Sequence, residues 1–346
     1  MLMTKRGGKM FIKRKKIHIA VSIVLILSLI VCLLPFNAIQ LYAAENIGVQ
    51  NENNTVLVDT HECDGSCLLH AEAKECEETS AGMEQIILPA AASGETLDAV
   101  YNVLYEGIAA CEGSISVQQY GVTMEEISGV MKKILYNCPE FFYLSNAYSY
   151  GYYMSGGIKY ASSIIPSYLM SIEEITEANE FFESEVNRIA ALAEQSWSDL
   201  EKVLFFHDYF AQQYCYDKNY YTGGADVIYD AYNFLKEKTG VCMAYSLTMM
   251  AVFNKVGVKN TSAFNDGHIW NVVKIGDYYY HVDATWDDPI VNRSMYEDFF
   301  GLIEHNSFMK SDNAFVSLGY STWECEYECN DTTYDNETLW SSSNAP

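Results

Sequence analysis

The sequence predicts an α+β fold: a buried central helix packed on an antiparallel sheet, preceded by a smaller α+β module. Three observations carry this expectation. Val241 to Val256 is almost entirely apolar, too uniform for a helix with a wet face. Three strand-like runs follow it, Asn260 to Asn265, Ile269 to Ile275 and Tyr278 to Val282, with Gly276-Asp277 as a tight turn between the last two. Upstream, between Thr96 and Ile165, two amphipathic runs precede an aromatic, alternating stretch that Gly156-Gly157 splits into two strands.

The chain has 346 residues, of which 49% are hydrophobic and 19% charged, enough for a leader and one or two domains with a real core. Its first residues read as a secretory signal. Basic residues end at Lys16, an apolar run extends from Ile17 to Leu34, and Tyr42-Ala43-Ala44 offers a small-residue cleavage site. Residues 1–44 are therefore read as a signal peptide, with an uncleaved anchor as the alternative. The formal net charge is −25, and removal of the seven basic residues of this acid-free leader takes it to −32. Such a surface repels nucleic acid and anionic membranes, so no nucleic-acid partner and no stable membrane association after cleavage are expected.

Export makes the cysteines informative. Ten are present, and nine remain once Cys32 leaves with the leader: Cys63, Cys67, Cys76, Cys111, Cys138, Cys215, Cys242, Cys325 and Cys329. An odd number in an oxidising compartment leaves at least one free thiol or an intermolecular bridge. Cys242 is the natural residue to stay free, and the other eight can form disulfides.

Residues 45–93 read as an acidic linker. Within it, His61, Cys63, Cys67, His70 and Cys76 suit either a local disulfide or a small zinc site. This segment resembles short Cys/His-rich stretches in surface proteins of Gram-positive bacteria. Residues 94–170 form the N-terminal α+β module. Its first helix carries Leu97, Val100, Val103, Leu104 and Ile108. Ser114 to Gly121 alternates as a short strand. Thr123-Met124-Glu125-Glu126 opens a second helix that stops before Pro139. Residues 171–346 are read as the main domain. Ser171 starts a helix that reaches about Gln195, and Ser196 to Asp199 caps the next, which Tyr216-Asp217 ends. His207, in helical register with apolar neighbours, is expected to brace a helix contact. Ile228 to Leu235 forms a short helix leading to Lys238-Thr239-Gly240, a loop expected to turn on Gly240.

The chemistry-bearing residues follow. Cys242 falls in the first turn of the buried helix, where free N–H groups and the helix dipole favour a thiolate. His268 starts a strand, and Asp283 ends the next one. In a hairpin turning at Gly276-Asp277, facing residues have numbers that sum to about 553. His268 then faces Thr285, and Asp283 lies diagonal to it on the same face, within hydrogen-bonding reach. A cysteine, a base and an orienting carboxylate are the parts of nucleophilic catalysis. His281, two residues before Asp283, competes for the base role or supports it.

Gly240-Val241-Cys242-Met243-Ala244-Tyr245, Gly267-His268-Ile269-Trp270-Asn271 and His281-Val282-Asp283-Ala284-Thr285-Trp286 resemble the three motifs of the bacterial transglutaminase-like superfamily. The resemblance spans about residues 196 to 290 and takes in His207-Asp208-Tyr209 and Tyr216-Asp217. Asn137-Cys138-Pro139-Glu140-Phe141-Phe142-Tyr143 resembles the N-terminal region of exported members. It implies a papain-like core with Cys242 as nucleophile, His268 as base and Asp283 as orienting acid. It also implies a secreted or cell-surface bacterial enzyme acting on peptide or protein amides, as a protease or amidase in preference to a crosslinker. Ala244 stands where many members have glycine, and no calcium loop of the EF-hand type is present, so no cofactor or catalytic metal is expected. The alternative is a binding or scaffold protein on the same fold without catalysis.

Overall fold

The computed structural model describes residues 57–60, 91–223, 226–288 and 303–340. The leader, the His61–Cys76 segment and most of the linker lie outside the described residues. The exception is Leu57–Thr60, which forms strand β1 and pairs antiparallel with the hairpin described next.

The N-terminal module is built as its local signals require. Helix α1 (Gly94–Ala109) is capped by Ser93, whose hydroxyl accepts from the Thr96 amide. It buries Val100, Leu104 and Ile108. The segment expected as a strand from Ser114 to Gly121 shortens to β2 (Ile115–Ser116), and residues Gln118–Tyr120 curl into a 3-10 turn instead. Helix α2 (Met124–Asn137) starts in a full capping box between Thr123 and Glu126, which satisfies two otherwise orphaned amides. Strands β3 (Leu144–Ser155) and β4 (Ile158–Tyr168) make the hairpin. Gly156 and Gly157 both have positive φ, 59° and 81°, as a two-residue turn matching strand twist demands. The sheet order is β1-β3-β4-β2.

Helix α3 (Ile172–Ala190) is shorter than its sequence pattern suggests and ends at Ala191. Helix α4 (Asp199–Gln213) again begins in a capping box, between Ser198 and Glu201. It stops before Tyr214, and Cys215–Tyr216 becomes strand β5, paired in parallel with β6 (Thr239–Gly240). The short helices α5 (Asn219–Thr222) and α6 (Ala231–Glu237) lie between these two strands in sequence.

Helix α7 (Cys242–Val256) is the hub. Eleven of its residues are buried, which explains the absence of a polar face in its sequence. It packs against α2, α3, α4 and α6 and, on its other side, against β7 (Asn260–Asn265) and β8 (His268–Ile275). Strands β7, β8 and β9 (Tyr278–Val282) form the expected antiparallel meander. Asn271 faces Val282 and Val272 faces His281, which is the register anticipated from the turn at Gly276-Asp277. A fourth strand, β10 (Phe308–Lys310), pairs with β9 and gives the order β10-β9-β8-β7. Helix α8 (Asp312–Leu318) follows it.

One hydrophobic core runs from α1 to β10 without a break. Asn137, the last residue of α2, ties the module to the second sheet. Its Oδ1 accepts from Thr261 Oγ1 at 2.9 Å, from the Ser262 amide at 2.9 Å and from Ser262 Oγ at 3.2 Å.

The disulfide expectation is corrected over the described residues. Cys111, Cys138, Cys242, Cys325 and Cys329 carry free thiols, and the Cys215 thiol donates to the Lys238 carbonyl at 3.6 Å. Cys325 and Cys329 do not pair, and the buried Cys329 sulfur lies within 4.8 Å of a ring nitrogen of His281 and a carboxylate oxygen of Asp312. Cys63, Cys67 and Cys76 lie outside the described residues. Cys242 is therefore not distinguished by being the odd thiol; its position has to do that.

Candidate active site

Cys242 is placed by the backbone on either side of it. The chain turns at Lys238, the residue with left-handed φ (58°), and not at Gly240 as the sequence suggested. Gly240 lies in extended β6 for a different reason. A Cβ there would sit 2.6 Å from Phe234 Cδ2 and 2.7 Å from Ala244 Cβ, so only glycine lets α6 and α7 close around this strand. Asp217 fixes the facing loop. It is buried and accepts from the amides of Asn219 (2.9 Å) and Ile228 (3.1 Å), while its own amide donates to the Gly240 carbonyl at 2.9 Å. The chain then enters α7 through Val241, which offers no side-chain cap. The first turn of α7 contains no acid. Its amide dipoles therefore meet no carboxylate from the helix's own first turn at Cys242, the first helical residue. Around the thiol are Tyr136 of α2 and Ile269 of β8, with Met243 and Phe264 beside them.

His268 opens β8 and reaches the same place from the sheet. Its Nε2 is 2.5 Å from Asp283 Oδ2. Its ring also hydrogen-bonds to the Cys242 side chain, which leaves Nδ1 as the nitrogen facing the thiol. Burial alone would lower the imidazole pKa. The Asp283 carboxylate outweighs that and, with a smaller contribution from Cys242, lifts it from 6.5 to about 10. Asp283 is buried just past the end of β9. Its Oδ1 accepts from the Thr285 and Trp286 amides at 3.1 and 3.3 Å. Its Oδ2 accepts from Tyr320 Oη at 2.7 Å as well as from His268. The three residues singled out in the sequence thus meet at one point, where the N-terminus of α7 approaches the start of β8.

Four further residues support the site, three of them inside the quoted motifs and one, Tyr320, outside any of them. Tyr320 arrives from beyond α8, 37 positions after Asp283. Trp270, on the same face of β8 as His268, stacks on its ring at 5.6 Å, and Trp286 meets the ring edge-on at 6.0 Å. Trp286 is 56% exposed and forms an open wall beside the histidine. Tyr216 in β5 is near enough to Cys242 to feel its charge. Burial first, then Cys242, pushes its phenol upward.

His281 does not compete for the base role. Its Nδ1 accepts from Trp270 Nε1 at 2.9 Å, and its Nε2 lies 2.8 Å from Asp312 Oδ1. Burial lowers its pKa despite Asp312, so it is the neutral tautomer, protonated at Nε2. It steadies the tryptophan that backs His268. His207 is the expected brace, fully buried between Asp208 (2.9 Å) and Asp287 (3.2 Å).

No protein-family model matches the chain, and no curated protein matches it. Among solved structures, one similar chain is that of a crystal structure of a TGase, with a TM-score of 0.27 and 16% identity. The overlap covers 41% of this chain and 43% of the other, so the chain spans less than half the length of the structure it matches.

Proposed function

We propose that the protein is a secreted thiol enzyme on a transglutaminase-like, papain-like core. It would attack peptide or protein amides through Cys242 and release the acyl group to water. The observation that carries this reading is the junction itself: a thiol at the first residue of an uncapped helix, within reach of an imidazole whose other nitrogen is held by a buried carboxylate.

The steps follow from that arrangement. The Cys242 proton passes to His268 Nδ1, and the thiolate attacks the amide carbonyl carbon. The oxyanion that forms is stabilised by amides at the α7 N-terminus. His268 returns the proton to the departing amine as the C–N bond breaks, leaving a thioester on Cys242. Water, deprotonated by His268, then cleaves the thioester and regenerates the thiol. Asp283 keeps the ring oriented and supports the imidazolium without itself taking the proton.

The test is incubation of the mature protein with a peptide library and a labelled primary amine, read by mass spectrometry. Cleavage that disappears in Cys242→Ala is expected. Amine incorporation in place of cleavage would reassign the acceptor from water to an amine, and activity that survives Cys242→Ala would remove the thiol from the chemistry altogether.

A further inference from the structure

A second group of polar side chains lies behind the turn that follows β9. His207 and Asp208 come from α4, and His305 from the segment leading into β10. Asp208 Oδ1 is 2.9 Å from His207 Nδ1 and 2.8 Å from His305 Nε2, and all three atoms lie within 4.8 Å of one another. We propose that these three residues bind one divalent cation of the zinc type, at a site separate from the cysteine centre.

Four features support the assignment. Two imidazole nitrogens and one carboxylate oxygen form a donor set that suits zinc and disfavours calcium or magnesium, which take oxygen. The ring of His207 is fixed from behind: its Nε2 lies 3.2 Å from Oδ2 of the buried Asp287, which in turn accepts from the Ser307 amide at 2.9 and 3.1 Å. A histidine ligand normally donates its far N–H to a carboxylate in this way, which sets the ligating nitrogen and its direction. The spacing is also close to what is needed. Bonds of about 2.0–2.1 Å at tetrahedral angles separate ligand atoms by about 3.3 Å, so the present contacts must open by roughly half an ångström. The side chains that would move are the ones with room, Asp208 at 30% and His305 at 17% exposure, and their open side admits the ion and a water as fourth ligand.

The other cluster of this kind, His281 with Asp312 and Cys329, is not such a site. Trp270 Nε1 donates to His281 Nδ1, so that lone pair is taken, and Nε2 carries the ring proton toward Asp312 and has no lone pair for a metal. At the proposed site the ion would join α4 to the loop that carries Asp283. The Asp283 amide donates to the Ser307 carbonyl at 3.0 Å, and the Asp287 amide to the Asp283 carbonyl at 3.3 Å. A cation there would therefore stiffen the support of the His268–Asp283 pair from outside the cleft.

The test uses the full mature chain carrying Cys242→Ala, so that the active-site thiol cannot bind metal. Co2+ serves as the spectroscopic probe and Zn2+ as competitor. The expected result is one Co2+ with visible d–d bands and no sulfur charge-transfer band, displaced by Zn2+. Asp208→Asn and His305→Gln should each weaken that binding at least tenfold and abolish the rise in Tm caused by Zn2+. Equal uptake by the parent and both folded variants would overturn the proposal. So would a spectrum with sulfur ligation only, which would place the ion on cysteines such as those of the His61–Cys76 segment. Should a variant fail to fold, the parent decides alone: a folded parent that takes up no Co2+ without sulfur ligands contradicts the site.

Discussion

Asp283 does two jobs with one carboxylate. Its Oδ1 pins the Thr285 and Trp286 amides, and its Oδ2 faces His268 and Tyr320. Asp283→Asn keeps the shape but removes the charge that lifts His268 to about 10. The variant should lose on the order of 10³-fold or more in kcat/KM, and its alkaline limb should move to lower pH, as measured in pH–rate profiles. The same charge links stability to pH. A histidine raised from 6.5 to about 10 contributes stability that is fully present below about pH 6.5 and is lost as pH climbs to about 10. Urea unfolding should therefore show the gap between wild type and Asp283→Asn shrinking over that window. Tyr320→Phe takes one donor from Asp283 and should cost about 1.5–3 kcal/mol in the same assay. The pairing of His268 with Asp283 was legible in the sequence because a two-residue turn sets the register of their strands, although the ladder stops at Asn271 and Val282 and His268 does not face Thr285, which lies in the turn beyond. Tyr320 was not, because a contact across 37 positions through a loop and a helix leaves no periodicity to read.

At the scale of elements, local signals reported themselves well and tertiary contacts did not. Thr123, Ser171 and Ser198 all cap helices in the way their sequence positions suggest, whereas the Ser93 cap of the first helix is visible only in the structure. The uniform apolar run became the buried α7, since burial on all sides erases the usual period. The strand at Cys215–Tyr216 is invisible in the sequence because two residues carry no alternation. It exists only through pairing with Thr239–Gly240. A glycine after Lys238-Thr239 suggests a turn, whereas the role of Gly240 is to let Phe234 and Ala244 approach. Gly240→Ala should accordingly destabilise the protein by about 1–3 kcal/mol through overpacking and displace Cys242. Adding Ala244→Gly should recover part of the loss, because the two methyl groups compete for one space. A double-mutant cycle on urea midpoints would check this, and simple additivity would contradict the shared contact.

Across the whole molecule, composition indicated a core of adequate size but not its continuity. The break near residue 170 that the sequence suggests is bridged by one hydrophobic cluster and by Asn137 on Thr261 and Ser262. Calorimetry should show a single cooperative transition for this region, with Asn137→Ala lowering its Tm without splitting it. Two separated transitions would mean that the module and the second sheet fold independently. The most direct test of the Cys242–His268–Asp283 centre is the rate at which iodoacetamide modifies Cys242 at pH 5, where ordinary thiols are protonated. Labelling of Cys242 ahead of every other cysteine, with the rate at pH 5 falling at least tenfold in His268→Ala, is the predicted result. A Cys242 that reacts only as pH approaches that of an ordinary thiol, at a rate indifferent to His268→Ala, would contradict it.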